Sequence, residues 1–228
     1  MPELKKAKEP FRFYTRLHLS GLTGLRASTL NQLLTLAKEV PGSSIYHHTH
    51  RFLQQHQYLS PEPPNDFAYW VTEVLGEDEL GEKLASIDTI QFNTIRALRE
   101  RIVETIESYL KDNPLAKMKF SHEGDEFYFI KSVSFVLPTN YVVYDLNEFV
   151  DVLAKITIDS IYFHIFESRL RLEKANNDFS NWIESSFGDK ELADSINKLD
   201  PYTYTIEDLR KTMIKIIKRR IARYDGKG

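Results

Sequence analysis

The chain repeats itself, and this internal similarity constrains its fold more than any other feature of the sequence. Residues 44–48 read SIYHH and residues 160–164 read SIYFH, at an offset of 116 residues. Further matches at almost the same offset extend along most of each copy. A register kept over such a length indicates a tandem duplication. Two copies of one structural unit are therefore expected, at residues 1–114 and 115–228, packed as one body.

Each copy begins as a strand and continues as helices. Residues 11–19 alternate apolar and polar side chains, and residues 126–137 are apolar on both faces, which is typical of a half-buried and a buried strand. Helix-start signals follow each strand, beginning with Thr29 and Gln32 at capping-box spacing. The sequence predicts an α+β, mostly helical fold. A strand-plus-five-helices unit would occur twice about a pseudo-twofold axis, with a small, mainly antiparallel sheet.

Composition excludes several classes of protein. The chain has no cysteine, which excludes disulfides, thiolate metal sites and cysteine nucleophiles. The formal net charge of −3 is close to neutral, so a broad nucleic-acid or membrane surface is not expected. No apolar run is long enough to cross a bilayer, and the N-terminal segment lacks the apolar region of a signal peptide. We expect a cytoplasmic protein without a membrane partner.

Three segments carry a resemblance to a known family. Residues 41–56 read PGSSIYHHTHRFLQQH, residues 60–70 read SPEPPNDFAYW, and residues 177–182 read NDFSNW. Over nearly its whole length the chain resembles a prokaryotic family of domains of unknown function. The resemblance implies a stand-alone prokaryotic protein, and it implies no activity, cofactor or catalytic residue.

The first copy carries a polar stripe where the second is mainly apolar. On an α-helix, four polar side chains of this region share one face: His47, His50, Gln54 and Tyr58. The matching positions of the second copy hold Phe163, Phe166, Leu170 and Lys174. Because a duplicated scaffold can specialise in one half, the stripe and the loop at residues 60–64 are the candidate ligand-binding site. The alternative is a polar face without a ligand.

The same stripe contains a candidate metal site. His47 and His50, one helical turn apart, are suitable ligands for Zn²⁺ or another divalent ion that binds imidazole. A third ligand is missing, because glutamine is a poor ligand and this face has no nearby Asp or Glu. No cofactor is therefore predicted, and a divalent metal stays an alternative.

Residues kept in both copies are assigned structural roles: His48, His164, Asp66, Asp178, Trp70 and Trp182. Each histidine is expected to be buried and hydrogen-bonded to a helix-start carboxylate or a backbone carbonyl. The aspartates are expected to cap helices, and the tryptophans to anchor the core. The alternative is a pair of equivalent catalytic histidines, for which the sequence offers no nucleophile motif.

Three functional classes remain open. The leading hypothesis is a non-catalytic ligand-binding or protein-interaction module with a regulatory role. The first alternative is an enzyme, a metal-dependent hydrolase acting through His47 and His50. The second and weakest is nucleic-acid binding through the basic C-terminal helix, which lacks a known reading motif. The expected partner is a protein or a small molecule, and a homodimer is one candidate assembly.

Overall fold

The computed structural model describes residues 6–52, 64–172, 176–200 and 205–225. Two long strands, β1 (Phe11–Ala27) and β2 (Phe127–Val143), pair into a two-stranded antiparallel sheet. Helices make up most of the remaining described chain, so the predicted α+β, mostly helical class is confirmed.

Helices follow each strand. After β1 come α1 (Leu30–Glu39), α2 (Gly42–Tyr46), α3 (Asp66–Glu73), α4 (Asp78–Ala85) and α5 (Ile95–Asp112). After β2 come α6 (Leu146–Leu153), α7 (Ile158–Tyr162), α8 (Ser168–Leu172), α9 (Asp178–Phe187), α10 (Lys190–Asn197) and α11 (Ile206–Asp225). Short 3₁₀ turns lie at Thr89–Gln91 and Pro114–Met118. Within the described ranges, no helix is long and apolar enough to span a membrane.

Helix starts follow from local side-chain chemistry. The predicted cap at Thr29 is confirmed, because its hydroxyl accepts the backbone N–H of Gln32. The predicted aspartate caps are wrong by one residue. Asn65 and Asn177 cap α3 and α9 through their side-chain oxygens, so Asp66 and Asp178 are the first helical residues. Asn and Asp are both common N-cap residues, so the sequence alone does not show which of two adjacent ones caps the helix.

The helix that contains the repeated motif changes its winding. α2 continues into a π-helical segment at His47–Arg51, and α7 continues into another at Phe163–Glu167. A π-helix forms i→i+5 hydrogen bonds and usually lasts about one turn. The assignment of His47 and His50 to one face by α-helical spacing therefore does not apply.

The chain divides into two compact units. The continuous unit comprises residues 18–134, and the discontinuous unit comprises the chain up to Leu17 together with Phe135 onward. The boundary falls inside both strands, so each unit contains part of β1 and part of β2. The repeats at 1–114 and 115–228 are units of sequence and stay a prediction, since the compact units cut across them.

In each unit, aromatic side chains of a strand pack under helices. In the discontinuous unit, the Phe11 ring centroid lies 5.3 Å from that of Phe179 and 5.6 Å from that of Trp182. In the continuous unit, the Phe127 and Trp70 ring centroids are 5.8 Å apart. Both tryptophans are buried at these contacts. The strands therefore contribute aromatic side chains to the apolar core of each unit.

Candidate functional site

In the continuous unit, a buried histidine connects the start of α3 to β2. His48 Nδ1 lies 2.6 Å from Asp66 Oδ2. The backbone N–H of Ile130 donates to His48 Nε2 at 3.0 Å. Because Nε2 accepts this bond, the ring proton lies on Nδ1 and is donated to the carboxylate. Both ring nitrogens therefore have protein partners.

The discontinuous unit has the same arrangement. His164 Nδ1 lies 2.7 Å from Asp178 Oδ2, and the backbone N–H of Tyr14 donates to His164 Nε2 at 2.8 Å. The carboxylate partner matches the expectation from the sequence, whereas the backbone partner is a strand N–H and not a carbonyl. We call this arrangement of aspartate, histidine and strand N–H the histidine latch. It joins a helix to a strand in each unit.

The residue before the latch histidine differs between the units. His47 is 8% exposed, and its Nδ1 lies 3.1 Å from Ser132 Oγ. Burial, and then the neighbouring His48, lower the pKa of His47 from 6.5 to about 4. His47 is therefore uncharged at neutral pH. The aligned Phe163 is also buried, but it presents only a ring of carbon.

His50 belongs to a column of rings in the continuous unit. It is fully buried, and its ring stacks on Tyr46 with centroids 5.6 Å apart and an interplanar angle of 6°. Tyr46 stacks in turn with His18 at 5.6 Å. His18 Nδ1 lies 2.9 Å from Ser134 Oγ. The aligned position in the other repeat is Phe166, which is also fully buried.

Two residues of the polar stripe, His47 and His50, are buried and therefore do not form a solvent-exposed face. Gln54, Tyr58 and residues 60–63 of the loop lie outside the described residues. Where the structure describes side chains, no group of three or more His, Asp or Glu residues is arranged to hold a metal ion. The ligand stripe and the two-histidine metal site stay predictions.

An open cavity of about 480 Å³ lies in the discontinuous unit beside the latch of His164 and Asp178. Its apolar lining includes Phe11, Val136 and Phe163. Its polar lining includes Arg12, Tyr14 and Asn181. Sequence reasoning missed this cavity because its lining comes from both strands, a π-helical segment and α9. The motifs at residues 160–164 and 177–182 contribute to this lining, but neither of them indicates that the two strands lie beside it.

A buried ion pair lies near the cavity. Arg16 Nη1 donates to Glu167 Oε2, and the Glu167 side chain is 1% exposed. The Arg16 guanidinium also lies 6.0 Å from the centre of the Phe163 ring. The aligned residues of the other repeat are Ser132 and Arg51, so the buried carboxylate belongs to one repeat only.

Comparison with known proteins gives two matches. A family model described as a family of unknown function, DUF5752, matches residues 8–218. A solved structure described as "The structure of OrfY from Thermoproteus tenax" is similar at a TM-score of 0.80 and 29% sequence identity, over 95% of this chain and 98% of that chain. No curated protein matches this chain. Neither match names an activity.

Proposed function

We propose that this chain, which belongs to the DUF5752 family, is a non-catalytic module that binds a small molecule in the cavity of its discontinuous unit. The observation that carries the proposal is the open cavity of about 480 Å³ with an apolar lining and polar groups. Small-molecule sites in proteins typically have volumes of about 300–1,000 Å³ and the same mixture of surfaces.

The lining indicates the chemistry of the ligand. The Val136 side chain is 46% exposed, so a ligand that covers it would remove apolar surface from water. The lining contains two charged side chains, Arg12 and Asp178. Asp178 already contacts His164, whereas Arg12 is exposed and offers a guanidinium that can bind an anionic group. Asn181 can donate or accept a hydrogen bond. A molecule with a flat apolar body and one anionic group fits this set.

The latch supports binding over acid–base catalysis. His164 lines the cavity, but one ring nitrogen contacts Asp178 and the other accepts the Tyr14 N–H. A general base must reach a substrate proton through a nitrogen that has no competing partner. His164 would have to leave its latch to meet that requirement.

The experiment is a fluorescence titration of the full chain with anilinonaphthalene sulfonate, an aromatic sulfonate. We expect saturable binding that Asn181→Tyr weakens about tenfold or more, because the larger side chain fills the cavity. The matched control is Tyr69→Asn, the reverse exchange at the aligned position, where Tyr69 is 45% exposed. It should leave binding unchanged. Undiminished binding by a folded Asn181→Tyr variant would contradict the proposal.

A second variant tests the anionic group. Arg12→Gln should weaken the sulfonate about fivefold or more through the lost charge-assisted hydrogen bonds. It should leave binding of phenylnaphthylamine, which has the same ring system without the sulfonate, unchanged. Equal losses for both probes would assign Arg12 to the shape of the cavity and remove the argument for an anionic ligand.

A further inference from the structure

A second concavity, of about 200 Å³, lies between α10 and α11 of the discontinuous unit. Its floor includes Leu192 and Ile216. Its charged lining consists of three arginines and one carboxylate: Arg219, Arg220, Arg223 and Glu191. The site is separate from the cavity beside the histidine latch, with which it shares no lining residue.

Arg220 is held rigidly at this concavity. Its Nε and Nη2 atoms donate to the two oxygens of Asp189 at 2.6 and 2.8 Å, and the Asp189 side chain is 1% exposed. The Tyr224 hydroxyl also donates to Asp189, and the Arg220 guanidinium lies 5.4 Å from the centre of the Tyr224 ring. Burial alone would raise the pKa of Asp189, but hydrogen bonds from Arg220 and Tyr224 keep it below its ordinary value. Asp189 therefore stays ionised and offsets the charge of Arg220.

The other two arginines are much less constrained. Arg219 and Arg223 are one helical turn apart on α11, and both are exposed. Arg223 Nη1 is 3.8 Å from Glu191 Oε1, a loose pair in which both side chains are more than 60% exposed, at 67% and 69%. Three guanidinium groups thus face two carboxylates, and the balance at the concavity is positive.

The other repeat has no arginine at the three aligned positions. The positions aligned with them hold Ser108, Tyr109 and Asp112. The Tyr109 hydroxyl donates to Glu77, which aligns with Asp189. A contact between the last helix and a buried carboxylate therefore occurs in both repeats, whereas the cluster of arginines occurs in one.

We propose that the concavity between α10 and α11 binds the phosphate group of a small phosphorylated molecule. Guanidinium groups bind phosphate oxygens through paired, charge-assisted hydrogen bonds. The exposed Arg219 and Arg223 can supply these bonds, whereas Arg220 is already paired with Asp189 and, through Nη1 at 2.8 Å, with Glu191. The Ser195 hydroxyl lies in the same lining and can add a further hydrogen bond. A volume of about 200 Å³ suits a phosphate with a short organic group.

The charges elsewhere on α11 favour a small ligand over a nucleic-acid backbone. Lys211 Nζ lies 3.2 Å from Asp208, and Arg210 Nε lies 2.9 Å from Glu207. A backbone site requires positive charge along a surface, because each neutralised phosphate contributes to affinity. The first part of this helix pairs its cations with acidic residues of its own.

The test uses inorganic pyrophosphate, titrated calorimetrically into the full chain at low ionic strength. We expect the paired change Arg219→Ser and Arg223→Ser to reduce affinity about tenfold or more. The matched control is the pair Lys215→Ser and Lys218→Ser, which removes the same charge from exposed positions of the same helix outside the concavity. It should change affinity by less than about twofold.

Three results would overturn the proposal: no pyrophosphate binding by the unaltered protein, equal losses for the two pairs, or duplex DNA binding that both pairs abolish. The last would assign the helix to a nucleic acid. Thermal unfolding of each variant, with and without pyrophosphate, checks that it is folded. Should the arginine pair fail to fold, Arg219→Gln alone must still lower affinity by at least about threefold.

Discussion

The two π-helical segments occupy aligned positions, but their side chains have opposite chemistry. The segment in the continuous unit contains His47 and His50, and the segment in the discontinuous unit has Phe163 and Phe166 at the aligned positions. All four side chains are buried. The unusual winding is therefore compatible with either kind of interior, and it does not by itself identify a polar site.

The difference extends to the strand beneath each segment. His47 meets the hydroxyl of Ser132, whereas at the aligned strand position Arg16 pairs with Glu167. Polar groups buried on the helix are met by polar groups on the strand, because burial without hydrogen bonds costs several kcal/mol. The histidine latch, by contrast, has the same hydrogen-bond partners in both units: a helix-start aspartate and a strand N–H.

The largest expected effect concerns the ion pair. Arg16→Met should lower the free energy of unfolding by about 3 kcal/mol, because it removes a guanidinium that pairs with the buried carboxylate of Glu167. In the other unit, Ser132→Ala removes one neutral hydrogen bond and should cost about 1 kcal/mol. Urea unfolding of both variants measures the difference. If Arg16→Met lowers the free energy of unfolding less than Ser132→Ala does, the ion pair does not stabilise its unit more than the neutral hydrogen bond stabilises the other.

The next effect tests the equivalence of the two latches. His48→Ala and His164→Ala should each lower the free energy of unfolding by about 2–3 kcal/mol, through lost packing and an unpaired strand N–H. The two losses should agree within about 1 kcal/mol, as judged by urea unfolding. A clear loss in one unit with none in the other would show that only one latch is structural.

The third effect is the part of the pH dependence of stability that comes from His47. Its pKa is about 4 in the folded protein and 6.5 as the reference for the unfolded chain. Between these values the unfolded chain binds more protons, so stability falls as the pH drops through this range. From pH 7 to pH 5 the loss should be about 2 kcal/mol.

His47→Phe places the residue of the other repeat at this position and should abolish that part of the pH dependence. His122→Phe is the control, because His122 is an exposed histidine and its replacement should leave the dependence intact. Urea midpoints at pH 5, 6 and 7 give the comparison. If the urea midpoint of His47→Phe changes with pH as much as that of the unaltered protein, burial of His47 does not cause the pH dependence.

The smallest effect is expected from exchanging surface residues between the units. Asn181→Tyr and Tyr69→Asn should each change the free energy of unfolding by no more than about 0.5 kcal/mol, because both side chains are partly or largely exposed. Thermal unfolding measures this directly. A large destabilisation by either exchange would mean that the cavity lining carries part of the fold.

Local sequence patterns predicted where strands and helices begin better than they predicted which elements pack together. The alternation from Phe11 onward and the capping pair of Thr29 and Gln32 each depend on neighbours in the chain, and both appear in the structure.

The candidate site was less accessible to sequence reasoning for a physical reason. The π-helical winding at His47–Arg51 has no simple residue pattern, and α-helical spacing does not apply to it. The contact of His47 with Ser132 depends on which strand lies below the helix, and that pairing joins distant parts of the chain. The sequence showed the composition of the stripe, but it did not show that His47 and His50 are buried.

The division of both strands between the compact units bears on the tandem duplication that the sequence predicts. Phe11 packs against Phe179 and Trp182, so this part of the core joins the two predicted repeats. If the chain arose by that duplication, a free-standing ancestor of one repeat would have reached this packing as a strand-exchanged dimer of two molecules. Fusion of two copies would then have replaced a concentration-dependent encounter with a tethered one, whose effective concentration is set by the linker. Once tethered, the halves would no longer have had to stay identical, and one could change its interior while the other kept its own.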